Sequence, residues 1–219
     1  IAATSCEQGG STNVKLETNI DSVSYAIGVL VGGNNQKQLE SAPGGDEINI
    51  EAMASAFRAS SLSEDVLVTE EEANELVREF FESAGNRVRQ KNLEAGNAFL
   101  ESNKSREGIS VTESGLQYEI LTEGTGEKPT LQDQVRVHYH GTLIDGTVFD
   151  SSVDRGEPAV SGVGQVIPGW TEALQLMPVG SKWKVYLPSN IAYGERGAGG
   201  DIGHNSALIF EVELLEIVR

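Results

Sequence analysis

His138 and His140 stand two apart in the alternating run Val135-Arg-Val-His-Tyr-His140, so both imidazoles leave one face of a strand, a spacing that could hold a metal ion. No third ligand is in view, and Tyr139 between them points the other way. Histidines that face outward or into sheet packing are the expectation, and no metal. The run Gly194-Glu-Arg-Gly-Ala-Gly-Gly200 could wrap a phosphate, but no Lys-Ser/Thr follows it and no G-x-G-x-x-G register fits. A mobile substrate-facing loop is its expected role. No serine or cysteine stands in a nucleophile elbow, and paired acids carry no specificity in a chain with 33 Asp+Glu. Trp170 is the more informative residue: Pro168-Gly169-Trp170 sets it at a helix start, where a core tryptophan has no special reason to sit. Tyr139, Phe149 and Phe210, taken alone, read as ordinary core aromatics of strands, and Asp150 as a turn carboxylate serving Ser151 and Ser152.

Positioning these residues requires a turn-rich domain, and composition says where it begins. All three His, both Trp, five of the six Pro and 15 of the 25 Gly lie after residue 110, whereas the first half is rich in Ala, Glu, Ser and Asn. The contrast predicts an α+β chain: an N-terminal all-α arm, then an antiparallel sheet. Leu116–Leu121, Val135–His140, Thr147–Phe149, Ser181–Leu187 and Ala207–Leu215 read as strands. Asp145-Gly146 reads as a hairpin turn, and Thr171–Met177 as one short helix on which the sheet curls.

In the first half, Val23, Ile27 and Leu30 at helical spacing predict a helix over about 21 to 39, weakened by Gly28, Gly32 and Gly33. Pro43–Asp46 is a turn, and Asn49 caps a second helix that ends near Leu62. Thr69 with Glu72 forms a capping box for a third helix, which meets no strong stop before Gly108. Its apolar stripe, from Ala73, Leu76, Val77, Phe80 and Phe81 through Ala84 and Val88 to Ala95, Ala98 and Phe99, extends for roughly 35 residues or about 50 Å. Such a stripe either folds back at Gly85 or Gly96 or is covered by a second chain, and a homodimer is the favoured expectation.

The 219 residues suffice for two modest domains. Residues 1–110 hold 9 Lys+Arg against 18 Asp+Glu and the remainder 7 against 15, so the net charge of −17 is shared between the halves. That charge excludes nucleic acid as a partner, which would need a basic stripe. No apolar run is long enough to span a bilayer. The single cysteine, Cys6, excludes an intramolecular disulfide. The small residues before it resemble a bacterial lipoprotein processing site, although Ala3 stands where a larger aliphatic residue is usual. The chain opens at Ile1, so upstream residues are expected to have been removed. Residues 1–19 are then signal remnant and flexible linker, with Cys6 lipidated, and the membrane is reached only through that anchor.

Seven blocks carry a family resemblance: Val137-His-Tyr139, Gly141-Thr-Leu143, Asp145-Gly146, Phe149-Asp-Ser-Ser152, Val166-Ile-Pro-Gly-Trp170, Ala192-Tyr-Gly194 and Leu208–Leu215. In this order they resemble the FKBP-type peptidyl-prolyl cis-trans isomerases, with residues 113–219 as the isomerase domain. The helical half, residues 20–107, is similar in layout to the macrophage-infectivity-potentiator branch, whose members are dimers of the bacterial periplasm or surface. The resemblance implies a rotamase that assists folding of exported proteins, with Trp170 as pocket floor and Tyr139, Phe149, Val166, Ile167, Tyr193, Phe210 and Ile202 around it. It makes Ile167 N–H and the Tyr193 hydroxyl donors to substrate carbonyls and puts Asp150 at the rim. Asp150, Tyr193 and Tyr139 are the implied catalytic residues. Rotation about an amide forms no bond to the substrate, so no cofactor is expected. Partners are proline-containing polypeptides and, by the same resemblance, macrocyclic inhibitors.

Two departures qualify this. Ala159-Val160-Ser161-Gly162 stands where the family commonly carries aromatics, predicting a pocket open on that side. Gly203-His204 replaces a frequent proline pair and predicts a less rigid overhanging loop. The rival from another class is a non-catalytic chaperone or proline-segment binding module.

Overall fold

The computed structural model describes residues 14–218; Cys6 and its lipidation lie outside the described residues. The chain forms two compact units that divide between Phe81 and Glu82, inside its longest helix.

The first unit is helical. Helix α1 (Asn19–Ser41) starts two residues before Asp21, because Thr18 is the cap. Thr18 Oγ1 accepts from Asp21 N at 3.1 Å while the Asp21 carboxylate accepts from Thr18 N at 2.8 Å, a reciprocal capping box. Gly28, Gly32 and Gly33 do not interrupt the helix. Helix α2 (Ile50–Ser61) begins at the expected Asn49, whose side chain accepts from Ala52 N. Neither α1 nor α2 has a buried residue.

Helix α3 (Glu70–Asn103) opens on the expected Thr69–Glu72 box and is continuous through both Gly85 and Gly96. The bend at one of those glycines, the alternative to a covering second chain, does not occur. The last two thirds of α3, from Glu82, belong to the second unit, where only part of the expected stripe is covered: Ala84 is buried and Phe99 packs on the sheet. Ala95 and Ala98 are exposed, whereas Gly96, Leu100 and Asn103 are buried and Asn92 and Phe99 half-buried. Glycine matters at 96 because a Cβ there would meet the Ala207 methyl at 3.0 Å. A contact face that mixes Phe99 and Leu100 with Asn92, Gly96 and Asn103 has a weak hydropathy signature, so a search for apolar spacing finds Phe99 but adds the exposed Ala95 and Ala98.

The sheet comprises β1 (Ile109–Val111), β2 (Gln117–Thr122), β3 (Gln134–Leu143), β4 (Val148–Ser151), β5 (Ala159–Gly162), β6 (Lys182–Leu187) and β7 (Leu208–Val218), with the one-turn α4 (Ser152–Arg155) and α5 (Pro168–Leu176) between them. All pairings are antiparallel, in the order β1-β2-β6-β7-β3-β4, and β5 pairs with the first half of β3 while β4 pairs with its second half. Alternation decides the faces. Leu208, Phe210, Val212 and Leu214 of β7 bury in one core with Ala173 and Leu174 of α5 and with Met177, which ends that helix. The opposite face, through Tyr186 and Ile209, packs on Phe99 and Leu100 of α3. The sheet therefore has a helix on each face, one more than the expected single short helix. Polar groups close the α3 side: Asn103 donates to Gln117 at 2.8 Å, and Gln117 donates to the Leu100 carbonyl at 2.9 Å.

Candidate active site

The two strands that carry Tyr139 and Phe210 are paired so that Gly141 lies opposite Phe210 and, on the other side, opposite Asp150. A Cβ at Gly141 would approach the Phe149 ring to 2.7 Å and the Phe210 ring to 2.9 Å, so glycine is what lets the aromatic rings close over the strand. Pro168 starts α5 with its fixed φ. Gly169 brings that helix against Leu187, where a Cβ would stand only 2.5 Å from the nearest methyl. Trp170 is thereby pressed onto the sheet and is buried.

Around it the rings meet edge to face. Trp170 lies 5.3 Å from Tyr139 at 86° and 5.2 Å from Phe210 at 82°, and Phe149 lies 5.4 Å from Phe210 at 84°. These rings line a cavity of about 710 Å³, with Val166, Ile167, Tyr193, Ile202 and Asp150 completing its wall. All nine residues singled out from the sequence therefore open onto one cavity. Its remaining wall is small and polar, formed by Ala159, Ser161 and Gln165 beside Ala198, Gly199 and Asp201. Small side chains on β5 leave that side without an aromatic, in line with the departure noted in the sequence.

At the rim, the Tyr139 hydroxyl donates to Asp150 Oδ2 at 2.5 Å, Arg155 pairs with Asp150 Oδ1, and Arg155 Nη2 donates to the Tyr139 hydroxyl oxygen at 2.9 Å. Partial burial pushes the Asp150 carboxyl up. The hydrogen bond from Tyr139 and the adjacent guanidinium outweigh it and hold the group below the usual carboxylate range. Burial raises the Tyr139 phenol, and its bond to Asp150 adds to this against the opposing effect of Arg155. Asp150 is thus an ionised acceptor and Tyr139 a neutral donor at neutral pH. Asp150 does not cap a turn; Ser151 caps α4 by accepting from Asp154 N.

Arg155 escaped the sequence reading. The available signal was an arginine one helical turn beyond Asp150, within reach of its carboxylate. Ser152 escaped too: buried completely, it accepts from Tyr139 N at 2.7 Å and so fixes the strand that presents the phenol. His138 and His140 meet Ser152 and Ser151 at 3.1 and 3.0 Å. Among the donors on the cavity wall that have no partner among the described residues are the Ile167 N–H and the Tyr193 hydroxyl, and Trp170 Nε1 is buried without one as well.

Two family models match in tandem: the domain amino terminal to FKBP-type peptidyl-prolyl isomerase over residues 20–120, and the FKBP-type peptidyl-prolyl cis-trans isomerase over residues 125–215. The outer membrane protein MIP of Legionella longbeachae is 42% identical over 99% of this chain and 94% of that protein. The chain belongs to the FKBP-type peptidyl-prolyl cis-trans isomerases. A 22 kDa FKBP-type isomerase of Escherichia coli strain K12 is 47% identical over 89% of this chain and 94% of its own length. The crystal structure of FkpA from E. coli superimposes with a TM-score of 0.74 at 30% identity, covering 93% of this chain and 98% of that one. The chain is accordingly a peptidyl-prolyl cis-trans isomerase with an FKBP-like sheet. Among the described residues no helix is long and apolar enough to cross a membrane.

Proposed function

We propose that the aromatic cavity is where this isomerase turns X-Pro bonds, and that the helical residues 20–107 dimerise it at the bacterial cell envelope. The observation that carries the site is the placing of two unpartnered donors, Ile167 N–H and Tyr193 Oη, on the cavity that the four rings line. An X-Pro bond rotates over a barrier of about 18–20 kcal/mol because rotation removes amide resonance. A site lowers that barrier only by holding the twisted amide better than the planar one. Here the proline ring enters between Trp170, Tyr139 and Phe210, where water is excluded. The two donors engage carbonyls flanking the proline and hold the chain while the bond turns. Asp150 is committed to Tyr139 and Arg155, so its part is to fix the phenol ring and to place negative charge at the rim. No proton needs to move.

Clients on this reading are proline-containing segments of exported polypeptides. Envelope attachment rests on the small residues preceding Cys6 and on lipidation at that thiol, which an intact mass of protein recovered from membranes would establish. Dimerisation rests on the first unit's chemistry. Val23, Ile27 and Leu30 stand exposed on one side of α1, and a groove of about 390 Å³ opens between Leu39, Ala42, Met53 and Phe81. A second copy of the same arm, sequestering these side chains, is the covering that a homodimer supplies.

The test is isomerisation of a proline tetrapeptide by wild type, Asp150→Ala and Tyr193→Phe. Turnover by wild type with roughly tenfold losses in each variant is expected from removal of one placed polar group. Variants as active as wild type would move the site elsewhere.

A further inference from the structure

The loop over the pocket was expected to be loosened by Gly203-His204, but it is tied at several points. Ala198 and Ile202 exchange both backbone hydrogen bonds, at 2.9 and 3.2 Å, and Asn205 N donates to the Gly194 carbonyl at 2.8 Å. The His204 imidazole donates from Nδ1 to the Glu195 carbonyl at 2.5 Å, across the base of the loop. The remaining tie comes from outside the loop. Asn92, on α3, donates through Nδ2 to the His204 carbonyl at 2.8 Å, from a position 112 residues away in sequence. The approach is close: a Cβ at Gly203 would stand 3.1 Å from that same Nδ2 and would push the amide by a few tenths of an ångström, and one turn further along α3 Gly96 meets Ala207.

We infer that Asn92 is a positioning residue of the isomerase, fixing through His204 the loop that carries Ile202 and adjoins Tyr193 on the pocket wall. A proline at 203 or 204 would have stiffened the loop through its own backbone; this chain anchors it instead to a neighbouring helix. The consequence is that residues of α3 that touch no substrate set how well the pocket wall is formed. The inference rests on the aromatic cavity being the isomerase site, and amide exchange of the loop reads the anchor independently of that.

The experiment compares full-length wild type, Asn92→Ala and Asn92→Asp, the last keeping the volume but replacing the donor with an acceptor. Both variants should raise KM for a proline tetrapeptide by about fivefold while kcat stays within about twofold, the split expected when a binding wall rather than the turning step is disturbed. Exchange at Ala198, Ile202 and Asn205 should accelerate by about tenfold, with β2 and β6 unchanged. A normal KM and normal loop exchange in Asn92→Asp would overturn the proposal, because packing rather than the hydrogen bond would then be what Asn92 supplies. Equal acceleration in β2 and β6 would overturn it as well, marking a general loss of stability. Faster loop exchange with unaltered KM would leave the anchor standing and remove its role in the site.

Discussion

The two units of this chain solve the problem of apolar surface in opposite ways. In the sheet unit, Val135, Val137, Val185, Leu187, Leu208 and Leu214 are wholly buried, and the alternation of β7 places Leu208, Phe210, Val212 and Leu214 in the core beside α5. In the helical unit no apolar side chain among the described residues up to Phe81 is buried, and residues as large as Leu30 and Phe57 remain more than half exposed. One unit is stabilised by its own core. The other has well-made helix caps and little else, and caps contribute only about 1 kcal/mol each. Helices draw most of their stability from a packed face, and on the proposed dimer reading a second copy supplies that face to the helical arm, which the isomerase unit does not need.

Core truncation tests that contrast most severely. Leu208→Ala should lower unfolding stability by about 2–5 kcal/mol, read from urea midpoints of the sheet unit's tryptophan signal. Leu30→Ala should leave that transition where it is. Next, Ile27→Glu combined with Leu30→Glu should weaken self-association by about a hundredfold in sedimentation while tetrapeptide turnover changes less than about twofold. A double variant that still sediments as wild type would place the covering surface somewhere other than this side of α1.

Within the sheet unit, Asp150→Asn probes the rim. The carboxyl's pKa is lowered in the folded protein, so its contribution to stability is present above the ordinary carboxylate range, about pH 4, and is lost as pH falls through the lowered value. The variant should therefore lose stability at neutral pH and show a flatter acid limb than wild type in pH-dependent melting. The smallest effect belongs to the exposed pair Arg136–Glu216 at 2.7 Å, where Arg136→Ala should cost no more than about 0.5 kcal/mol in the same urea titration.

Much of this was legible in the chain itself. Capping chemistry at Asn49 and Thr69 is local, and so both helix starts could be read from four residues each. Five of the seven strands were legible because period-two alternation survives wherever one face is buried, and their ends moved by only a few residues, whereas the short β1 and β5 were not among the strands read. Start positions failed where the cap was misassigned, as when Asp21 was taken for the first residue rather than the third of its helix. The aromatic site was legible through the order of its motif blocks, not through any property of Tyr139 or Phe210 alone.

Local periodicity and chemistry thus determined the α+β division and the capped helices, and the order of the motif blocks, through its family resemblance, indicated the side chains that gather around Trp170. Tertiary structure alone decided which face of α3 lies on the sheet, that Arg155 closes the Tyr139–Asp150 pair, and that Asn92 reaches the loop beside the pocket. The last two are contacts between polar side chains, and the α3 face mixes Phe99 and Leu100 with Asn92, Gly96 and Asn103, so none of the three leaves a regular hydrophobic pattern. Their meaning depends on a partner that folding brings near and that spacing along the chain does not reveal.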